Sequence, residues 1–265
     1  MGKLDGKIAI VTGAARGNGE GAARVMAREG ATVVLTDVLD IVHDTAKSIV
    51  NDGHKAVSFK VDVTKPAEVG KVVQEVLEKF GRVDILVNNA GVLKLVPLVD
   101  MTDDVLDRML NINVKGMFIC TRAVLPGMIE RKYGKIVNLS SVTGPIVADV
   151  GETAYAATKA AAWGFTKALA MEVAAYGINV NAICPGMIET DMVRQMARET
   201  NPADPDSVIK TMARGIPMGR LGTIEELGEL VAFLASEESR YLTGTSVVID
   251  GASTLPESNV MGVTC

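Results

Sequence analysis

Lys7-Ile8-Ala9-Ile10-Val11-Thr12-Gly13-Ala14-Ala15-Arg16-Gly17-Asn18-Gly19 is the stretch on which the fold turns. Lys7–Val11 is apolar almost throughout and reads as a strand covered on both faces. Three glycines follow, and a helical period starts at residue 17. Strand, glycine turn and helix in direct succession form the setting of a dinucleotide phosphate site. Glycine lets the backbone approach a pyrophosphate, and the free N–H groups of the first helical turn add partial positive charge. Gly13, Arg16 and Gly19 are therefore candidate cofactor contacts.

The same alternation runs outward from there. Thr32–Thr36, Ala56–Val61, Ile85–Val87, Lys135–Leu139, Asn179–Ile183 and Ser246–Ile249 read as further strands. Helical periods fill 17–29, 40–52, 66–80, 103–131, 153–176, 190–213 and 223–236. The pattern predicts an α/β fold: a Rossmann-like, doubly wound parallel sheet of about seven strands, with helices on both faces. Gly30, Gly53, Gly81 and Gly177 each follow a helix, where a left-handed cap favours glycine, and Pro66 opens one. No Gly-, Pro- or Ser-rich linker divides the chain. Residues 1–265 read as one domain, with a cofactor half to residue 140 and a catalytic and substrate half from 141.

Asp37 ends the second strand about 20 residues beyond the glycine turn, where a carboxylate accepts both hydroxyls of an adenosine ribose. It would repel a 2′-phosphate, which favours NAD over NADP. Arg16 keeps NADP open, since a guanidinium in the turn can pair with a phosphate. Further along, Tyr155-Ala156-Ala157-Thr158-Lys159 lies in an alanine-rich helical stretch. Residues four apart share a helix face, so the phenol and the ammonium can share one site. A nearby fixed positive charge lowers the pKa of a tyrosine from its usual value of roughly 10, which suits it to exchange protons.

Composition removes other classes. Lys and Arg total 27 against 32 Asp and Glu, a net charge of −5 with no basic block, which argues against a nucleic-acid partner. Cys120, Cys184, Cys265 and two histidines offer neither a disulfide framework nor zinc spacing, so no metal is expected. Met1–Lys7 lacks the apolar run of a signal peptide. No stretch reaches about 18 uncharged apolar residues; the nearest, 156–173, is interrupted by Lys159, Lys167 and Glu172. The expectation is a soluble, cytoplasmic protein with no membrane partner.

Gly13-x-x-x-Gly17-x-Gly19, Asn88-Asn89-Ala90-Gly91, Ser141, Tyr155 with Lys159, and Pro185-Gly186 occur in this order. In that combination the whole chain resembles the short-chain dehydrogenases/reductases. The resemblance implies an oxidoreductase that moves a hydride between a nicotinamide cofactor and a secondary alcohol/ketone or aldehyde. It makes Tyr155 the general acid/base, Lys159 its partner, Ser141 the hydroxyl that orients the substrate oxygen, and Asn113 the holder of a water linking Lys159 to solvent. It also implies that Asp62 and Val63 hold the adenine, that Asn89 and Gly91 approach the nicotinamide half, and that Ile188 and Thr190 hold the carboxamide and pyrophosphate. Lys159 would also bind the nicotinamide ribose, and Asn88 would bridge strands.

Three positions depart from the family pattern. Asn18 replaces a usual isoleucine, either adding a hydrogen bond to the cofactor or facing water. The loop Val142–Thr153 is one residue longer than expected. Ala252 stands where a second glycine is common after Asp250-Gly251. By resemblance, residues 187–215 form a lid. Met187, Met192, Met196 and Met212 there, with Met218 beyond, allow a permissive apolar pocket or ordinary helix packing. Leu93, Leu95, Pro145, Ile146 and Val147 would extend the apolar wall, while Arg194, Arg198 and Arg214 could recognise an acidic substrate or form a solvated helix face. Ala160, Ala161, Ala162 and Gly164 permit close helix approach, so the helices at 153–176 and 103–131 are expected to form a homodimer face, with a homotetramer implied by resemblance. Two alternatives are a dinucleotide-binding sensor and an NADP-dependent acyl-carrier-type ketoreductase.

Overall fold

The structure is a computed structural model that describes residues 2–256, except for the side chains of Met192 and Glu199. Cys265 lies outside the described residues. Strand β1 (Ile8–Thr12) is buried along its full length and runs through the glycine turn into helix α1 (Gly17–Arg28). Then follow β2 (Thr32–Asp37), α2 (Val42–Asn51), β3 (Lys55–Lys60), α3 (Pro66–Phe80) and β4 (Ile85–Asn88). The second half comprises α4 (Asp103–Met109), α5 (Gly116–Arg131), β5 (Gly134–Leu139), α6 (Thr153–Val173) and β6 (Ile178–Pro185), then α7 (Asp191–Thr200), α8 (Pro205–Arg214), α9 (Ile224–Leu234) and β7 (Ser246–Ile249).

The seven strands form one parallel sheet in the order β3-β2-β1-β4-β5-β6-β7. Alternation along β1 divides the core. Ala9 and Val11 face one cluster with Ala22, Met26, Leu227 and Val231, while Ile8 and Ile10 face the other with Val69, Val73, Ile119 and Val124. Helices α1 and α9 meet backbone to backbone: a Cβ on Gly228 would come 2.6 Å from the Gly21 carbonyl oxygen. Strand order reverses between β1 and β4, which opens a crevice at the carboxyl ends of the strands.

The four expected glycine caps all take positive φ, and Gly81 closes α3 with its N–H on the Leu77 carbonyl. Two expected helices are divided. The 103–131 segment is interrupted by a π-helical turn at Leu110–Lys115. The 190–213 segment is two helices, because Pro205 disfavours helical backbone at Asp204 and Asp204 caps α8 through the Ser207 N–H. Taken end to end, Asp103–Arg131 is long and apolar enough to cross a membrane by length and composition alone, although Lys115 and Arg122 interrupt it. In the fold α5 instead packs Ile119, Cys120, Val124 and Met128 into the core.

Candidate active site

The crevice is a cleft of about 1650 Å³, including the solvent in its mouth. Gly13, Arg16, Gly17, Asn18, Asp37, Asp62 and Val63 line one end, with Thr190 standing over Gly17, and Ser141, Tyr155, Lys159 and Gly186 line the other, with Asn89 and Gly91 between them. Gly13 has φ +65°, and a Cβ there would stand 2.8 Å from the Ala90 Cα, so only glycine fits between β1 and β4. Gly19 is buried behind the turn rather than lining the cleft, because its Cα packs against the Gly13 carbonyl.

Asn89 braces this turn. Its Nδ2 donates to the Thr12 and Gly13 carbonyls at 2.9 and 2.8 Å, and its N–H donates to Thr12 Oγ1 at 3.0 Å. Asp37 accepts the Ala15 N–H on Oδ2 and the Leu39 N–H on Oδ1, both at 3.0 Å, so its carboxylate is fixed at the cleft wall. Asp62 Oδ1 is occupied by the Thr64 N–H and hydroxyl at 2.9 and 2.7 Å; Oδ2 takes neither bond. Asn18 does not simply face water: its Oδ1 is buried without a hydrogen-bond partner. A glycine cradle, a fixed ribose-height carboxylate and an orphaned amide oxygen in one cleft fit a bound dinucleotide.

At the other end, α6 presents Tyr155 and Lys159 on one face, with the ammonium 5.6 Å from the phenol ring centroid. Lys159 Nζ donates to the Leu139 carbonyl at 2.8 Å, and Ser140 Oγ donates to the Lys159 carbonyl at 2.8 Å. Burial pulls the Lys159 pKa down to about 8. The expected lowering of Tyr155 is reversed. Burial raises its pKa above the ordinary value, the Ser141 hydrogen bond opposes this, and the Glu152 charge adds to it. Lys159 points instead at the end of β5.

Asn113 is buried. It lies in the π turn behind the cleft, and its side chain is fully committed: Oδ1 accepts the Val92 N–H at 2.8 Å, while Nδ2 donates to the Val92 carbonyl and Thr158 Oγ1 at 2.9 and 3.0 Å. The side chain thus ties the segment after β4 to α6. Asn88 bridges as expected, from its Nδ2 to Thr121 Oγ1 and Asn138 Oδ1 at 3.0 and 2.8 Å. Ile188 is buried and does not line the cleft. Its neighbours bond Gly222, Met187 through its carbonyl and Glu189 through its N–H, so the Ile188 backbone groups take no part in that bridge.

Residues 13–254 match the family model described as enoyl-(acyl carrier protein) reductase. Oxidoreductase UcpA of Escherichia coli K12 is 54% identical over 263 residues, covering 99% of this chain and 100% of the relative. The chain is a short-chain dehydrogenase/reductase. The 3-oxoacyl-[acyl-carrier-protein] reductase FabG of Thermotoga maritima is 40% identical, covering 94% of this chain and 98% of that one. The crystal structure of levodione reductase superposes with a TM-score of 0.89 at 33% identity, covering 95% and 98% of the two chains. Membership in this family of oxidoreductases agrees with the Rossmann-like sheet and implies a nicotinamide cofactor.

Sequence reasoning missed Val38, Leu39, Arg108 and Asp191, all of which line the cleft. For Arg108 the available signal was its spacing of four from Ile112, another lining residue. Among the described residues Arg108 has no ion pair. Arg194 is paired with Glu189.

Proposed function

We propose that this short-chain dehydrogenase/reductase interconverts a secondary alcohol and a ketone, or a primary alcohol and an aldehyde, with NAD as the preferred cofactor. One observation carries the reading: a single cleft holds the glycine turn with Asp37 at one end and Ser141, Tyr155 and Lys159 at the other. When bound, the nicotinamide exchanges a hydride with the substrate carbon. Gly13, the α1 N-terminus and Arg16 would bind the pyrophosphate, Asp37 the adenosine ribose, and Asp62 Oδ2 with the Val63 backbone the adenine. Asn18, Gly91, the Ile188 backbone and Thr190 would hold the nicotinamide half, with Asn89 bracing the turn.

Tyr155 Oη holds the proton that a developing alkoxide needs, and Ser141 Oγ orients the substrate oxygen beside it. The half-buried Tyr155 has its pKa raised by burial, which favours the protonated phenol and suits a donor to a carbonyl being reduced. Lys159 carries charge to the same pocket, and Asn113 fixes the geometry of α6 behind it.

NAD is supported by the surroundings of Asp37. Val38 and Leu39 are apolar, and the nearby Lys60 is paired with Asp40, so Arg16 is the cation left at that end to meet a 2′-phosphate. The acyl-carrier reading draws on the similarity to FabG. Between Val142 and Ala154, however, the mouth carries Asp149 and Glu152 and no cation for the phosphate of a carrier arm. We also assign the protein to the cytoplasm and to a homodimer or homotetramer.

The test follows absorbance at 340 nm with NAD and NADP over a panel of alcohols and carbonyls. Tyr155→Phe should reduce turnover at least a thousandfold while cofactor affinity stays within about twofold. An active phenylalanine variant overturns the mechanism, and binding without turnover on any substrate favours a sensor.

A further inference from the structure

Three segments border the catalytic end of the cleft, and each exposes large apolar side chains. The segment after β4 exposes Leu95, Leu98 and Val99; the loop from Ser141 to Tyr155 exposes Ile146, Val147 and Val150. Met187 stands at the start of the third. Val99 and Val150 are 92% and 93% exposed; isolated side chains of this kind are ordinary, but several on segments that flank one cleft are not.

The rim is built rather than loose. The Val96 N–H donates to the Gly151 carbonyl at 2.9 Å, which joins the first two segments. The loop carrying Ile146 and Val147 is closed by the Gly144 N–H on the Val147 carbonyl at 2.7 Å. It also lies flat on α6: a Cβ on Gly144 would overlap the carbonyl of Ala156, the residue next to Tyr155. The lip is therefore continuous with the acid/base, and Leu93, which lines the cleft itself, leads into it. Its charges favour a neutral ligand in number, Lys94 standing against Asp100, Asp149 and Glu152, while Arg108, unpaired among the described residues, is a cation in the cleft below.

We propose that this lip is the binding surface for the body of the substrate: a neutral ketone or secondary alcohol with a hydrocarbon chain long enough to leave the cleft and lie across Leu95, Leu98, Val99 and Val150. The inference rests on the oxidoreductase reading above and names its substrate class. Each added methylene that reaches the lip is removed from water, which is worth about two- to fourfold in kcat/KM.

The experiment measures kcat/KM for 2-alkanones from four to ten carbons with NADH, on the full chain and on Val99→Asp and Val150→Asp. Both positions are solvent-exposed, so the charge is not buried. Tyr241→Asp, 99% exposed beside the start of β7, is the control. The wild type and the control should gain about two- to fourfold per carbon over the longer members. Each lip variant should lose most of that slope, and the ten-carbon ketone should fall at least tenfold relative to the four-carbon one. A flat wild-type profile, or an unchanged slope in both lip variants, overturns the inference. So does a lip variant whose mass by light scattering falls while its slope holds, because the lip is then a contact between subunits. Turnover of polyols or hydroxy acids without any alkanone overturns it and leaves the oxidoreductase reading standing. No turnover of any alcohol or carbonyl removes that reading, and this inference with it.

Discussion

Lys159 illustrates how one side chain serves the site at the expense of the fold. Its pKa is pulled from 10.5 to about 8 by burial. Between those values the unfolded chain holds a proton that the folded chain has released, so the contribution of this group to stability rises as pH climbs from about 8 to 10.5. Below about 8 both states are charged, and the folded state carries the full burial cost of about 3 kcal/mol. The bond to the Leu139 carbonyl offsets part of it. Lys159→Met should therefore abolish turnover yet stabilise the protein by about 1–2 kcal/mol at pH 7. That advantage should vanish by about pH 10. Urea unfolding of both proteins from pH 7 to 10 checks this, and a constant difference across the series would refute the burial account. Asn18 poses the same conflict without charge. Its orphaned Oδ1 costs about 1–3 kcal/mol when nothing fills the cleft. Asn18→Ile should raise the melting temperature without cofactor and weaken NAD binding by about three- to tenfold. Unchanged affinity in a fluorescence titration would remove Asn18 from the cofactor site.

The turn after β7 shows what an element inherits from one substitution. Asp250 Oδ1 accepts the Ala252 N–H at 2.9 Å, and Oδ2 accepts the Thr254 N–H and hydroxyl at 2.9 and 2.8 Å. This winding forces Ala252 to φ +69°, a left-handed conformation that costs alanine about 1–2 kcal/mol and glycine almost nothing. Ala252→Gly should gain about 0.5–1 kcal/mol after the greater entropy of the unfolded glycine is deducted. A thermal melt should rise by about 1–4 °C, and a lower midpoint would show that the strain is absorbed elsewhere. The sequence flagged Ala252 but not its torsion, and the same division holds across the elements. Strand runs such as Ile8–Val11 and the glycine turn were readable because period and backbone freedom are local properties. The break at Asp204–Pro205 was locally encoded and overlooked, while the π turn at Asn113 depends on Val92 and Thr158 brought from elsewhere in the chain. The upward displacement of the Tyr155 pKa was unreadable for the same reason: spacing to Lys159 is local, but burial is made by the whole fold.

At the scale of the whole molecule, helix α6 faces two ways. One side carries Tyr155 and Lys159 into the cleft. The other exposes Ala157, Ala160, Gly164, Ala168 and Met171, and a Cβ on Gly164 would meet nothing within 4 Å. Beside it on α5, Phe118 is exposed and packs edge-on to Phe165 with ring centroids 4.5 Å apart. Small residues on a long helix next to exposed aromatic rings let a second helix approach closely, and an isologous contact between two copies would cover both at once. Light scattering at micromolar concentration should therefore give at least twice the mass of one chain, and Gly164→Arg should reduce it to a single chain. A monomeric wild type, or an arginine variant of unchanged mass, would rule out this face. Because α6 also carries the proposed acid/base pair, such a contact would brace it from outside as Asn113 braces it from inside. Turnover by Gly164→Arg should fall along with its mass, whereas a fully active single chain would show that the cleft alone holds Tyr155 in place.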